Sequence, residues 1–126
     1  LNQFTQADSP VLLPDVLARK ASADGIVLTI CIPETLAYFV GHFDAIAIVP
    51  GVVQIQWAVH FARQYLGVEP VFRHMEAVKF KELLLPGQPL ELQLRYSDQA
   101  AKLEFCYRSQ HSEYSSGRIY FHDPRV

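Results

Sequence analysis

Cysteine is scarce in this chain of 126 residues: Cys31 and Cys106 are the only two, and no metal spacing such as C-x-x-C occurs. A disulfide framework and a cysteine-based metal site are thereby excluded. Both cysteines lie in alternating apolar segments and are expected to be reduced core thiols. Charge is sparse as well. Charged residues make up 19% of the chain and the net charge is -2, which gives no general pull toward nucleic acid or an anionic membrane. Long apolar runs are missing too, since none approaches the ~18 residues of a membrane span. The first residues lack the charged-then-apolar order of a secretory leader. A soluble, cytoplasmic protein is expected. No repeat, low-complexity tract or linker divides the chain, so residues 1–126 read as one domain.

What is present is a rich set of β-prone segments and one long apolar stretch. After a Pro-punctuated start, "SPVLLPDVLARKAS" reads as a turn and a first strand, and "GIVLTICI", residues 25–32, follows the Asp24-Gly25 turn signal as its hairpin partner. Residues 52–66 contain neither Pro nor Gly, are apolar on nearly every side and end at Gly67, the pattern of a buried helix with a glycine stop. Four more β segments come next: "FRHMEAVKFKELL", "PLELQLRYS", "AKLEFCYRS" and "SSGRIYFH". In the second of these Leu90, Leu92, Leu94 and Tyr96 alternate with Glu91, Gln93 and Arg95, so one sheet face is buried and the other wet. The order β-β-α-β-β-β-β makes an α+β fold, most economically an antiparallel sheet curled around one long central helix.

The stretch "FVGHFDAIAIVPGVVQIQWAVHFA", residues 39–62, places His42 in a loop that leads through Pro50-Gly51 into a helix carrying Gln54, Gln56 and His60. With "GHF" eight residues before "PG", the apolar helix, and "KFK" four residues before a second "PG", the chain resembles the hotdog-fold 3-hydroxyacyl-acyl carrier protein dehydratases. The likeness runs from about Leu12 to Phe121. "PGVVQ" together with "SSGRI" is similar, more narrowly, to the dehydratase-like proteins of bacterial aryl polyene and fatty acid type pathways.

Dehydration of a 3-hydroxyacyl thioester needs a base for the α-proton, an acid for the departing hydroxyl, and donors for the charge that appears on the thioester oxygen. His42 has the right unperturbed pKa for the base. The Gly51 N–H, at a helix N-terminus and unblocked by a side chain, suits the oxyanion. The resemblance implies that same role for Gly51 and makes the Ile48 carbonyl the group that orients the histidine. It implies neither a metal nor another cofactor.

The family's acid stands fourteen residues after the histidine, and here that position is Gln56. An amide gives up no proton at neutral pH, although Gln56 can still hold a hydroxyl or carbonyl. One turn further on, His60 stands where the dehydratases carry glutamine, on the same helix face. His60 is thus either a relocated proton donor or a packed, hydrogen-bonded histidine. Tyr38 and Phe43, with Phe39, are candidates to line an acyl tunnel, with core as the plainer role. Trp57, Phe61 and Tyr65 fit core or dimer packing. Gln54 is expected to satisfy backbone or cross-interface groups, with no part in catalysis.

The expected substrate is a thioester on acyl carrier protein or coenzyme A, in fatty acid or aryl polyene type synthesis. Arg73, His74, Lys79 and Lys81 offer either a landing surface for an acidic carrier or simply a wet strand face. An unpaired sheet edge points to a dimer, with itself or with a paralogue that retains the acid. Two other functions fit the same residues: an acyl thioesterase, and a non-catalytic subunit that completes a paralogue's site.

Overall fold

Leucines at every second position with polar residues between them require a strand wet on one side, and such a strand occupies the middle of the sheet. The computed structural model describes residues 12–34, 48–68 and 71–122. Its elements follow the expected order: β1 (Asp15–Ala21), β2 (Gly25–Cys31), α1 (Gly51–Leu66), β3 (Phe72–Phe80), β4 (Leu90–Ser97), β5 (Lys102–Arg108) and β6 (Glu113–Phe121). All neighbouring strands are antiparallel, in the order β1-β2-β4-β5-β6-β3. This is the hotdog arrangement, with one sheet and one helix among the described residues.

The helix lies on the face formed by the inward residues of the four inner strands. Leu28 and Ile30 of β2, Leu92 and Leu94 of β4, Leu103, Phe105 and Tyr107 of β5 and Ile119 of β6 meet Val53, Trp57, Ala58, Phe61 and Ala62 of α1. Burying a large apolar side chain of this kind contributes roughly 1.5–3 kcal/mol, so the four inner strands and the helix hold the fold together. Trp57 is fully covered and also donates its indole N–H to the Leu12 carbonyl at 2.9 Å, tying the segment before β1 to the helix. Trp57 and Phe61 are therefore core. Tyr65 is half-buried, with the Arg19 guanidinium 5.5 Å from its ring centre.

The helix stops where expected. Gly67 has φ 67°, the left-handed conformation that glycine takes without a Cβ clash, and its N–H returns to the Ala62 carbonyl.

The outermost strands differ from the inner four. β1 is exposed along nearly its whole length, and β3 leaves Phe72, Met75 and Phe80 at the surface. β3 also loses register with β6 between Glu76 and Lys79, where Ala77 adopts φ 53°. Two expectations need correction. Cys31 and Cys106 are not core residues: the period-two alternation that buries Ile30 and Phe105 turns the cysteines to the outer face, where both are free and half-buried. The segment "FRHMEAVKFKELL" is not a strand throughout: β3 ends at Phe80, which leaves Glu82 beyond it.

Candidate functional site at the start of the helix

The helix begins at a proline, which fixes φ and has no N–H to leave unpaired. Pro50 is the N-cap; among the described residues no side chain caps this end, and the first turn contains no acidic residue. The peptide group that carries the Gly51 N–H is held from its other side. The Pro50 carbonyl accepts from the N–H groups of Val53 at 3.1 Å and Gln54 at 3.2 Å, so it points along the helix. In a trans peptide the N–H opposes the C=O, which aims the Gly51 N–H outward from the helix start. The partial positive charge of the helix N-terminus lies at the same place.

Ile48 is handled similarly. The Val49 N–H donates to the Leu84 carbonyl at 2.9 Å, so the Ile48 carbonyl, in the same peptide group, faces the opposite way. Position 51 has little room for a side chain. A Cβ there would come 2.6 Å from Cζ and 2.8 Å from Cε1 of Phe80, whose ring at the end of β3 stands against the helix start while remaining half exposed.

Gln56 and His60 follow on one side of the helix, and both are exposed. Neither belongs to the buried residues of the helix, which include Val53, Trp57 and Phe61. The His60 ring meets Phe61 edge-on, with centres 5.1 Å apart. Tyr38, His42 and Phe43, together with Phe39, lie outside the described residues. Of the predicted site residues, then, Ile48 and Gly51 come together at the helix start, with Gln56 and His60 along its outer side.

Gln54 is buried, as are Ser115 of β6 and Tyr107 of β5. Its Nε2 donates to the Val49 carbonyl at 3.1 Å, its Oε1 accepts from the Ser115 hydroxyl at 2.6 Å, and its backbone carbonyl accepts from the Tyr107 hydroxyl at 2.7 Å. The expectation that Gln54 satisfies backbone groups is thus met. Burial pushes the Tyr107 phenol well above its ordinary pKa, which keeps it a neutral donor. Phe80 and Ser115 lie in the "KFK" and "SSGRI" motifs, but neither their contacts with the helix start nor that of Tyr107 could be read there, because each reaches a residue distant along the chain.

The four candidate landing residues are not equivalent. Lys81 is paired with Glu113 at 2.7 Å and His74 with Glu76 at 3.1 Å, and His74 also stacks on Tyr120. The hydrogen bond from His74, then that from Arg118, holds the Glu76 carboxyl below the usual range. Glu113 in turn pushes the Lys81 ammonium upward. Glu76 is therefore held at the surface between His74 and Arg118.

The sequence profile of the ApeI-like family, described as ApeI dehydratase, matches residues 18–118. The chain belongs to the ApeI-like dehydratase family. Among solved structures it is similar to the dehydratase heterocomplex ApeI:P from Xenorhabdus doucetiae, at 31% identity and a TM-score of 0.76, covering 85% of this chain and 96% of that one. It is also similar to an uncharacterized protein from Erwinia carotovora subsp. atroseptica, at 30% identity and a TM-score of 0.77, covering 90% of this chain and 99% of that one. No curated protein matches. Among the described residues no cluster of His, Cys, Asp and Glu could hold a metal, and no helix is long and apolar enough to cross a membrane.

Proposed function

We propose that this chain dehydrates a 3-hydroxyacyl thioester borne on an acyl carrier protein, in fatty acid or aryl polyene type synthesis, and that its site is completed by a second hotdog chain. The observation that carries this reading is the exposure of Gln56 and His60 on the helix side that the chain's own sheet leaves uncovered. Polar groups next to an open helix N-terminus suit a site closed by a partner. In the reaction, His42 takes the α-proton and the released electron pair forms the α,β double bond. The C–O bond of the hydroxyl breaks, and the hydroxyl leaves as water with a proton from the acid. Between these events the thioester oxygen carries negative charge, which the Gly51 N–H stabilises. Tyr38 and Phe43 line the acyl path, and the Ile48 carbonyl orients His42.

Gln56 cannot be the acid. The ApeI:P neighbour is a heterocomplex, and by the same logic a paralogue whose helix carries a carboxyl at the position of Gln56 would face His42 of this chain. One mixed pair then holds one complete site. The exposed apolar residues of β3, Phe72, Met75 and Phe80, suit the seam of such a pair, which would also cover the free strand edge. The decisive assay follows enoyl-thioester formation from a hydroxyacyl carrier substrate by the chain alone and by the chain with a paralogue. Turnover that appears or rises steeply in the mixture supports the reading. Release of free thiol instead would assign a thioesterase.

A second reading is favoured by Gln56 itself, since an amide replaces the acid. Here the chain is a non-catalytic subunit and the working histidine belongs to the paralogue. His42→Ala in the mixed complex separates the two: loss of turnover assigns catalysis to this chain, and full turnover assigns it to the partner.

A further inference from the structure

The helix start is held by three consecutive peptide groups, and each is fixed differently. The group between Ile48 and Val49 is fixed through its N–H, by the Leu84 carbonyl at 2.9 Å. That between Pro50 and Gly51 is fixed through its carbonyl, by the first helical N–H groups. The middle group, Val49 to Pro50, ends in a proline and has no N–H to anchor. Its carbonyl is its only polar handle, and Gln54 Nε2 holds it at 3.1 Å.

The two outer groups present the Ile48 carbonyl and the Gly51 N–H, and their relative aim depends on the peptide group between them. We infer that Gln54, clamped by Ser115, is a positioning residue that sets the angle between these two backbone groups. The inference rests on the dehydratase reading and adds to it a residue that touches no substrate. Both ends of the amide are needed. Ser115 donates to Oε1 at 2.6 Å, which leaves the Nε2 side of the amide facing Val49. Because β6 supplies Ser115, the sheet itself determines which way the amide faces.

A merely structural Gln54 would affect stability alone. A positioning Gln54 affects the chemical step, since a donor is useful only where it meets the oxyanion. Gln54→Met fills the same space without hydrogen bonds, and Ser115→Ala removes the clamp with little change in volume. Both, and the double variant, are assayed for enoyl-thioester formation in whichever assembly makes the wild type active, with folding checked by circular dichroism and urea titration. Gln54→Met should lower kcat about tenfold to a hundredfold, less than the 10²–10³ expected from removing an oxyanion donor outright. KM should stay within about threefold, because ground-state binding is untouched. Ser115→Ala should lower kcat less, and the double variant should match Gln54→Met, since Ser115 acts through Gln54.

Unchanged kcat in folded Gln54→Met, or additive losses in the double variant, overturns the inference. A spectroscopic readout stands apart from activity: with ¹⁵N-glycine labelling, the Gly51 amide resonance should move in both single variants while those of Gly67 and Gly87 stay. A stationary Gly51 peak also overturns it. If the wild type makes no enoyl thioester in any assembly, the dehydratase reading fails, and the Gly51 resonance alone still decides whether Gln54 sets the backbone.

Discussion

The two ends of the helix solve the same problem in opposite ways. Each end leaves backbone groups without intrahelical partners. At the C-terminal end the chain closes on itself: Gly67 turns left-handed, its N–H returns to Ala62, and buried Val68 follows. At the N-terminal end, among the described residues, no side chain caps the first turn, and beside the local bonds to the Val49 and Pro50 carbonyls it is held by contacts from far along the sequence, from Leu84, Tyr107 and Ser115. A closed end serves the fold. The other end takes its supports from three other segments, and among the described residues no side chain caps it.

The largest expected effect tests the open end. Gln56→Glu should raise enoyl-thioester formation by the isolated chain within the roughly 10²- to 10⁴-fold range of general acid catalysis, measured against wild type on one hydroxyacyl carrier substrate. If it gains nothing while His60→Gln loses most of the turnover, the acid is His60.

Gly51→Ala comes next. The new methyl would press on the Phe80 ring, whose half-exposed far edge can give way, so stability should change by about 1 kcal/mol or less. Turnover should fall by about 10² or more, because the donor and its access are both disturbed. Equal stability and equal turnover would remove the helix start from the mechanism.

Gly67→Ala, at φ 67°, should show the reverse. Alanine is strained in that conformation, so unfolding by urea should occur with a loss of about 1 kcal/mol, while turnover per folded molecule stays within twofold. A collapse of turnover in this variant would mean that the two ends are not independent.

The smallest effect is a control for loosening of the whole fold. Burial, then the Glu113 carboxylate, pushes the Cys106 thiol up to about 11. Its thiolate is therefore scarce near pH 8, and alkylation should accelerate as pH rises toward 11 rather than level off near 9. Peptide mass spectrometry should give the same Cys106 profile in Gly51→Ala and Gly67→Ala as in wild type. A profile shifted to lower pH would show that the substitution had opened the sheet.

The closed end was legible in the sequence and the open end only in part, and the physical reason is the distance over which each is determined. Gly67 ends an apolar run and needs nothing beyond its neighbours. The leucines of β4 declare their buried face in eight residues. Gly51 could be singled out from Pro50 beside it and from the resemblance to dehydratases. The clamp on Gln54 could not: "PGVVQ" and "SSGRI" mark both of its residues, but Ser115 is 61 positions from Gln54 and neither motif says that the two meet. The apolar segment around Cys106 points to the core, although its alternation with Phe105 and Tyr107 holds the opposite answer. Ala77 carries no mark of its positive φ, because a bulge is a property of two paired strands.

The place of β3 in the sheet also governs the order of assembly. It follows the helix in the chain, yet it pairs with β6, with Met75 opposite Ile119, and the β4–β5 hairpin must form or be spanned before that pairing closes. Such a late, long-range closure is slow. During synthesis β3 must wait for nearly all of the remaining chain to emerge, with Phe72, Met75 and Phe80 lacking even the cover β6 later provides. A newly made chain is thus most vulnerable to mispairing along this strand, and a partner present early would act there much as a chaperone does.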